Sequence, residues 1–416
     1  MRICFMTLGT RGDVQPYLAL AQALMRRGHG AVICTGESFR QLIEGHGVEF
    51  CRTELDLMAM LKTPEGSALF HGGVKHFGRA MRYTKEVFNP AFRKSLDDFW
   101  HCAQGADIIV YHPKVMAAVD MVQVLGCVAV HMPPVPTIFP VSEFPNPAIL
   151  PAGSLGAFLN RLSYRLTAKA DLASMAEIND FRTRTLGLQK RKAGVFVYQN
   201  GGTDIPIVYP VSPALFDEVS SWNGKVFLPG FFYLDTNTHS LSPEAERFLA
   251  SGKAPVVITF SSMPLRQPEA FKEKLLGALR QSGDRAIVLT GVSGLAFENS
   301  GGILALEEAP HHLLFSRAKG IVHHGGAGTV AEALRSGVPQ LIIPFSVDQP
   351  FWASRLARLG YALPPLREDK LTQQSLASAF SRMEEQEVIL TARRIKESMQ
   401  SENGVENAAN YLEGLL

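Results

Sequence analysis

The chain is 416 residues long, 46% hydrophobic and 19% charged, a globular composition that excludes disorder over most of its length. Lysine and arginine number 41 against 39 acidic residues, and the resulting +2 leaves no bulk attraction for nucleic acid or another polyanion. At about 150 residues per domain, such a length predicts two or three domains.

Five cysteines (Cys4, Cys34, Cys51, Cys102 and Cys127) match no zinc-ligand spacing and sit mostly in apolar runs. A reduced, cytoplasmic protein without a metal site is the expectation. Residues 1–6 are too short an apolar run for a secretory leader. The stretch 117–139 is interrupted by Asp120, Gln123, His131 and prolines, so no membrane span is expected.

Residues 3–8 predict a first strand that ends in Gly9-Thr10-Arg11-Gly12-Asp13. Leu18, Leu20, Ala21, Leu24 and Met25 then recur at helical spacing, with Gly28 as the stop. Strands follow at 31–34 and 48–51 around a helix at 39–45, and strands at 107–111 and 127–131 bracket a helix at 115–125. Residues 132–153, rich in proline and glycine, predict an ordered irregular loop over a site. A basic helical stretch at 155–186 reads as a solvated face. The alternation resumes with strands at 255–260, 285–290, 321–324 and 340–345 and helices at 268–280, 329–336 and 351–359. Buried strands alternating with helices predict an α/β chain of two doubly wound lobes facing across a cleft. The expected division is residues 1–221, a linker at 222–242, a second lobe at 243–396, and a final helix at 397–416 returning to the first lobe.

The segment 321–332, Ile-Val-His-His-Gly-Gly-Ala-Gly-Thr-Val-Ala-Glu, runs from a strand through a glycine turn into a helix. Unpaired N–H groups and a positive dipole end suit a phosphate or diphosphate there, with His324 and Thr329 as added donors. A tight connection whose glycines merely solve packing is the other reading. The spacing is neither the dinucleotide fingerprint nor the P-loop, which disfavours NAD and ATP. Asp348-Gln349 follows the next strand at the ligand-facing end, where a carboxylate beside a carboxamide suits vicinal hydroxyls, or where Asp348 caps a helix. Asp13 likewise is either a cap for a helix opened by Pro16 or a carboxylate aimed into the cleft.

These motifs carry a resemblance. Gly9-Thr-Arg-Gly-Asp-Val-Gln-Pro16, Tyr209-Pro-Val-Ser-Pro213, Gly230-Phe-Phe-Tyr-Leu-Asp235 and the block from 309 to 353 resemble family 1 nucleotide-sugar glycosyltransferases of the GT-B fold. The branch is that of sterol glucosyltransferases and bacterial natural-product glycosyltransferases. The resemblance implies a donor, UDP-glucose first and dTDP-sugars second, held in the C-terminal lobe as co-substrate with no cofactor or metal. His324, Gly325, Gly326, Gly328 and Thr329 match the diphosphate turn, Glu332 the ribose position, and Asp348 with Gln349 the sugar-holding pair. Ser262 matches a diphosphate contact, with Ser261 in place of the usual glycine. Glu308 and His311 stand where the base is read, without the aromatic common there, and Thr10 and Arg11 lie where phosphates could be reached. Asp13 takes the place of the general base of an inverting transfer.

Unusually apolar loops predict a hydrophobic acceptor pocket from Phe70, Phe77, Met81, Met132, Ile138, Phe139 and Phe144, with Phe158 nearby. The basic residues Lys75, Arg79, Arg82, Lys85, Arg93 and Lys94 are read as solvated, a peripheral membrane contact being the alternative. Two other functional classes stay open: a nucleotide-sugar epimerase or hydrolase, and a non-catalytic sugar-nucleotide-binding partner.

Overall fold

A computed structural model describes residues 1–63, 65, 81–195, 198–222, 224–234, 240–261, 264–345 and 348–416. Seven parallel strands build the first sheet: β1 (Arg2–Met6), β2 (Gly30–Gly36), β3 (Glu49–Thr53), β4 (Ile108–Tyr111), β5 (Val128–His131), β8 (Ile207–Val208) and β9 (Val226–Phe227). Their spatial order is β3-β2-β1-β4-β5-β8-β9, with a two-stranded hairpin of β6 (Gln199–Asn200) and β7 (Thr203–Asp204) set apart. The second sheet has the order β12-β11-β10-β13-β14, built from β10 (Val256–Thr259), β11 (Ala286–Leu289), β12 (Ile303–Leu306), β13 (Gly320–His323) and β14 (Gln340–Ile342). All its pairings are parallel. Both sheets reverse direction next to their first strand, β1 or β10, and in open parallel sheets the crevice for a ligand lies at that switch, beyond the carboxyl ends.

The helices that matter here are α1 (Arg11–Arg26), α2 (Ala118–Leu125), α3 (Ala157–Thr167), α4 (Ala327–Ser336), α5 (Gln349–Arg358) and α6 (Gly404–Glu413). α1 begins at Arg11 and carries Pro16 inside it, rather than starting at the proline. The stretch 222–242 is not wholly connection: β9 within it extends the first sheet. α6 buries Ala408, Ala409 and Leu412 in the core of the first lobe. Arg27 next to α1 ties it down through Glu406 Oε2 at 3.1 Å and Glu413 Oε2 at 2.8 Å.

One apolar cluster spans both lobes. Phe144, Phe216 and Trp222 from the first meet Phe351 and Trp352 of α5 from the second, with ring centroids 5.4 Å apart for Phe144–Phe351 and 6.1 Å for Phe216–Trp352. Arg355 Nε donates to the Leu215 carbonyl at 2.7 Å across the same seam. Such aromatic pairs contribute about 0.5–1.5 kcal/mol each beyond their buried area.

Tertiary contact also assembles what no cysteine spacing announces. Cys34 and Cys51 are register partners on β2 and β3, and the sulfurs of Cys34, Cys51 and Cys102 lie within 4.8 Å of one another. All are free thiols. Burial pushes Cys34 well above its ordinary pKa, and the hydrogen bond to Cys102 pushes Cys51 up to about 11. They are therefore protonated at neutral pH. Among the described residues no helix is long and apolar enough to cross a membrane.

Candidate active site

β13 delivers His323 into the interior of the second lobe. Its Nδ1 accepts the Gly325 N–H at 3.1 Å, so Nε2 carries the proton and faces Gln340 Oε1 at 2.8 Å. This locks the strand end against β14. Gly325 then takes φ +91°, and a Cβ there would stand 2.7 Å from Ile342 Cγ2, so neither conformation nor space admits a side chain. Gly326 caps α4 with no side chain to satisfy the first-turn N–H groups, and a Cβ on Gly328 would meet only open space. The turn thus presents helix N-terminal donors on an unobstructed side, which is the chemistry an anion needs.

His324 lines the turn, and its buried Nδ1 has no hydrogen-bond partner among the described residues. Burial, with His323 and His311 adding to it, drives its pKa down to about 3, so it is a neutral ring at physiological pH. Thr329 is buried in the first turn of α4. Glu332, one turn later, is pushed up by burial and its Oε2 accepts an Arg335 N–H at 2.7 Å, while Arg335 lies 4.0 Å over the Tyr233 ring.

Asp348 precedes α5, and its Oδ2 accepts the Trp352 indole N–H at 3.1 Å. Burial, with the negative charge of Asp13 adding to it, raises its pKa to about 6. Gln349 spends its side-chain oxygen on the Phe345 N–H at 2.9 Å, so that half of the amide holds the loop. His311 stacks on Phe315 at 4.5 Å and burial brings it down to about 4, whereas Glu308 is exposed. Ser261 is the one non-glycine residue with positive φ (52°) among the described residues, which explains why glycine suits this position. Ser262, Phe70 and Phe77 lie outside the described residues.

On the first lobe, Asp13 is a cap and a cleft residue at once. Its Oδ2 accepts the Thr10 N–H at 2.7 Å and the Thr10 hydroxyl at 3.2 Å, closing the first turn of α1. Gly9 is the residue that leaves room for this carboxylate, since a Cβ at position 9 would lie 2.0 Å from Oδ2. Oδ1 faces His112 Nε2 at 3.0 Å and the Lys114 ammonium at 3.3 Å. The His112 approach is close but poorly aligned for a hydrogen bond. Burial alone would raise the Asp13 pKa; Lys114, His112 and the Thr10 N–H outweigh it and hold the carboxyl well below the usual range. His112 Nδ1 accepts the Lys114 backbone N–H at 3.1 Å, so its proton sits on Nε2, the nitrogen on the Asp13 side. Burial keeps that ring neutral.

The two lobes sense each other here. The Asp13 charge raises Asp348, Lys114 lowers it, and Arg11 acts on His311 across the cleft, while Arg11 Nε also reaches Gln15 at 3.3 Å. His112 and Lys114 were absent from the sequence reading, which ended the fourth strand at residue 111. The signal available was their place directly beyond the carboxyl end of β4, the strand beside β1.

Among the described residues, the expected acceptor side chains do not form one wall. Met132 is 1% exposed within the core of the first lobe, its carbonyl taking the Tyr17 hydroxyl. Phe144 is buried in the seam between the lobes, and the Ile138 and Phe139 N–H groups donate to Tyr209 Oη at 3.3 and 3.0 Å, pinning the loop. Met81 is 58% exposed and Phe158 78% exposed. Packing has taken up Met132 and Phe144, while Met81 and Phe158 stand in solvent.

Residues 3–110 match the glycosyltransferase family 28 N-terminal domain, and residues 288–415 match the erythromycin biosynthesis protein CIII-like C-terminal domain. The chain is 31% identical to O-mycaminosyltylonolide 6-deoxyallosyltransferase of Streptomyces fradiae, over 99% of this chain and 97% of that protein. It is 30% identical to sterol 3-beta-glucosyltransferase UGT80A2 of Arabidopsis thaliana over 98% of its own length, spanning 64% of the plant protein. Among solved structures, the glycotransferase of kitacinnamycin superposes with a TM-score of 0.73 at 18% identity, covering 100% of this chain and 98% of that one. Glycosyltransferase VinC in complex with DTDP gives 0.68 at 19%, over 100% and 99%. These structural likenesses speak for the fold. With two parallel-stranded lobes and relatives matched along nearly its whole length, the chain belongs to the family of GT-B glycosyltransferases that contains these natural-product and sterol enzymes.

Proposed function

We propose that this chain moves a hexose from a nucleoside-diphosphate sugar to a hydroxyl of an apolar small molecule, with inversion at the anomeric carbon and without a metal ion. The observation that carries the reading is Asp13, held ionised in one lobe within electrostatic reach of Asp348 in the other. In this reading the acceptor hydroxyl displaces the half-exposed Lys114 ammonium from Oδ1. Asp13 takes the proton as the acceptor oxygen bonds to the anomeric carbon and the carbon–oxygen bond to the diphosphate breaks. The electron pair leaves on the diphosphate, which the N–H groups of α4, the His324 ring and Thr329 stabilise. His112 cannot compete as base, because its lone-pair nitrogen is bound to the Lys114 N–H. Attack from the Asp13 side and departure on the α4 side make the displacement in-line, hence inverting.

Glucose from UDP-glucose is the first donor reading, supported by the sterol glucosyltransferase relatives. A dTDP-linked deoxyhexose is the second, favoured by the deoxyallosyltransferase relative and by DTDP in the VinC structure. The acceptor class is an apolar alcohol such as a sterol, terpenoid, polyketide, flavonoid or hydroxy-lipid, and the site of action is the cytoplasm.

The test incubates UDP-glucose and dTDP-glucose with a panel of apolar alcohols in EDTA and reads hexose addition by mass and anomeric configuration by NMR. Asp13→Ala is expected to abolish transfer while leaving UDP affinity within about twofold. Donor consumption without acceptor would instead identify a hydrolase or epimerase, and retained transfer in Asp13→Ala would remove that residue from the chemistry.

A further inference from the structure

α3 is turned inside out. Its protein-facing side buries polar groups beside the Tyr164 ring: Asn160 and Ser163 are buried, Asn160 Nδ2 donates to the Ser142 carbonyl at 2.7 Å, and Asn146 donates its N–H to Ser163 Oγ and its Nδ2 to Thr167 Oγ1, both at 2.7 Å. Its outward side is apolar, with Phe158, Leu159, Leu162 and Leu166 all exposed, Leu166 at 65%. At 100° per residue these four fall in one arc about 100° wide, Arg161 and Arg165 line one edge of it, and Lys169 follows just past the end of the helix. The sequence reading of 155–186 as a solvated polar face is corrected on this point. An apolar stripe left outside while polar side chains are spent inside is the reverse of what stability in water selects.

The geometry points to an anionic lipid bilayer as the surface that covers this stripe, with α3 lying in the interfacial plane. Charge chooses the occupant. The chain has no acidic residue between Glu143 and Asp171, so the segment that forms this helix carries only positive charges beside its apolar stripe. That pairing, apolar residues into the acyl boundary and arginines at the headgroups, is the composition of an interfacial helix. A second copy of this chain is a poor occupant, because a twofold contact would lay the arginine row against its own counterpart. The helix rests on the loop 136–146 through Tyr164, Asn160 and Ser163, so it is held flat rather than free to extend away.

Co-flotation with phosphatidylcholine vesicles, with and without about one-third phosphatidylglycerol, tests it on the full chain. Wild type is expected to float with the anionic vesicles at low salt and to be released as salt rises. R161Q/R165Q/K169Q is expected to lower that partition on the order of a hundredfold, from roughly fivefold per basic residue. F158S/L162S/L166S is expected to lose flotation on the anionic vesicles, while the far-UV circular dichroism, which reads the fold, stays unchanged in both variants. Absence of flotation at low salt would overturn the inference, as would flotation indifferent to both triple variants. So would a solution dimer that the apolar triple variant converts to monomer, since the stripe would then belong to a second copy.

Discussion

Replacing Asp348 by asparagine is expected to stabilise the folded chain at pH 8 by up to about 3 kcal/mol, and hardly at all at pH 4. The ordinary aspartate value of 3.8 is raised to about 6 here by burial and then by Asp13, a rise of a little over two pH units at roughly 1.4 kcal/mol each. Because the folded state holds this proton more tightly than the unfolded chain, wild-type stability falls as pH climbs from 3.8 through 6 and the full cost is present above that window. Asparagine has no proton to lose, and its amide oxygen can still accept the Trp352 indole N–H, so the packing is preserved. The advantage shrinks to about 0.5 kcal/mol at pH 4, where the folded wild type is protonated and the unfolded chain is only about 60% ionised. Partial solvent access at Asp348 makes 3 kcal/mol an upper figure. Urea unfolding at 25 °C at the two pH values measures the difference. Equal effects at both pH values, or a loss of stability at pH 8, would refute the electrostatic reasoning. If Asp348 holds the donor sugar as proposed, the same variant is expected to weaken binding of the nucleotide sugar while leaving that of free UDP unchanged.

His324→Ala is expected to weaken UDP binding on the order of tenfold, the worth of one hydrogen bond to a charged oxygen, and an unchanged dissociation constant would detach this ring from the diphosphate. Ser261→Gly is expected to raise stability in urea by about 1 kcal/mol by relieving the left-handed backbone, whereas Ser261→Ala is expected to bring no gain; equal gains would point to the side chain instead. Arg355→Leu is expected to cost about 3 kcal/mol, because the Leu215 carbonyl loses its buried donor and Phe216 the guanidinium 4.5 Å from its ring. An unaltered urea midpoint there would show that the lobes do not depend on this seam.

The sequence by itself determined what neighbours along the chain can decide. Short apolar runs alternating with amphipathic stretches dictate parallel strands covered by helices, and the spacing His323-His-Gly-Gly-Ala-Gly-Thr329 dictates a strand that turns sharply into a helix with bare N–H groups. Gly325 and Gly337 announce their positive φ because no other residue type adopts it cheaply. Ser261 hid the same backbone state, because serine carries no such signal.

Only the tertiary structure decided which distant residues meet. Lys114 reaches Asp13 across about a hundred residues because β4 lies beside β1, and strand order is a property of the whole sheet. Cap and cleft carboxylate stood as alternatives for Asp13 in the sequence, yet its two oxygens divide the tasks, one to Thr10 and one to His112 and Lys114. The three converging cysteines, the buried Met132 and Phe144, and the outward leucines of α3 have the same origin. Hydrophobicity states how strongly a side chain avoids water, while what it is pressed against depends on register and docking, which are settled by contacts between segments far apart in the chain.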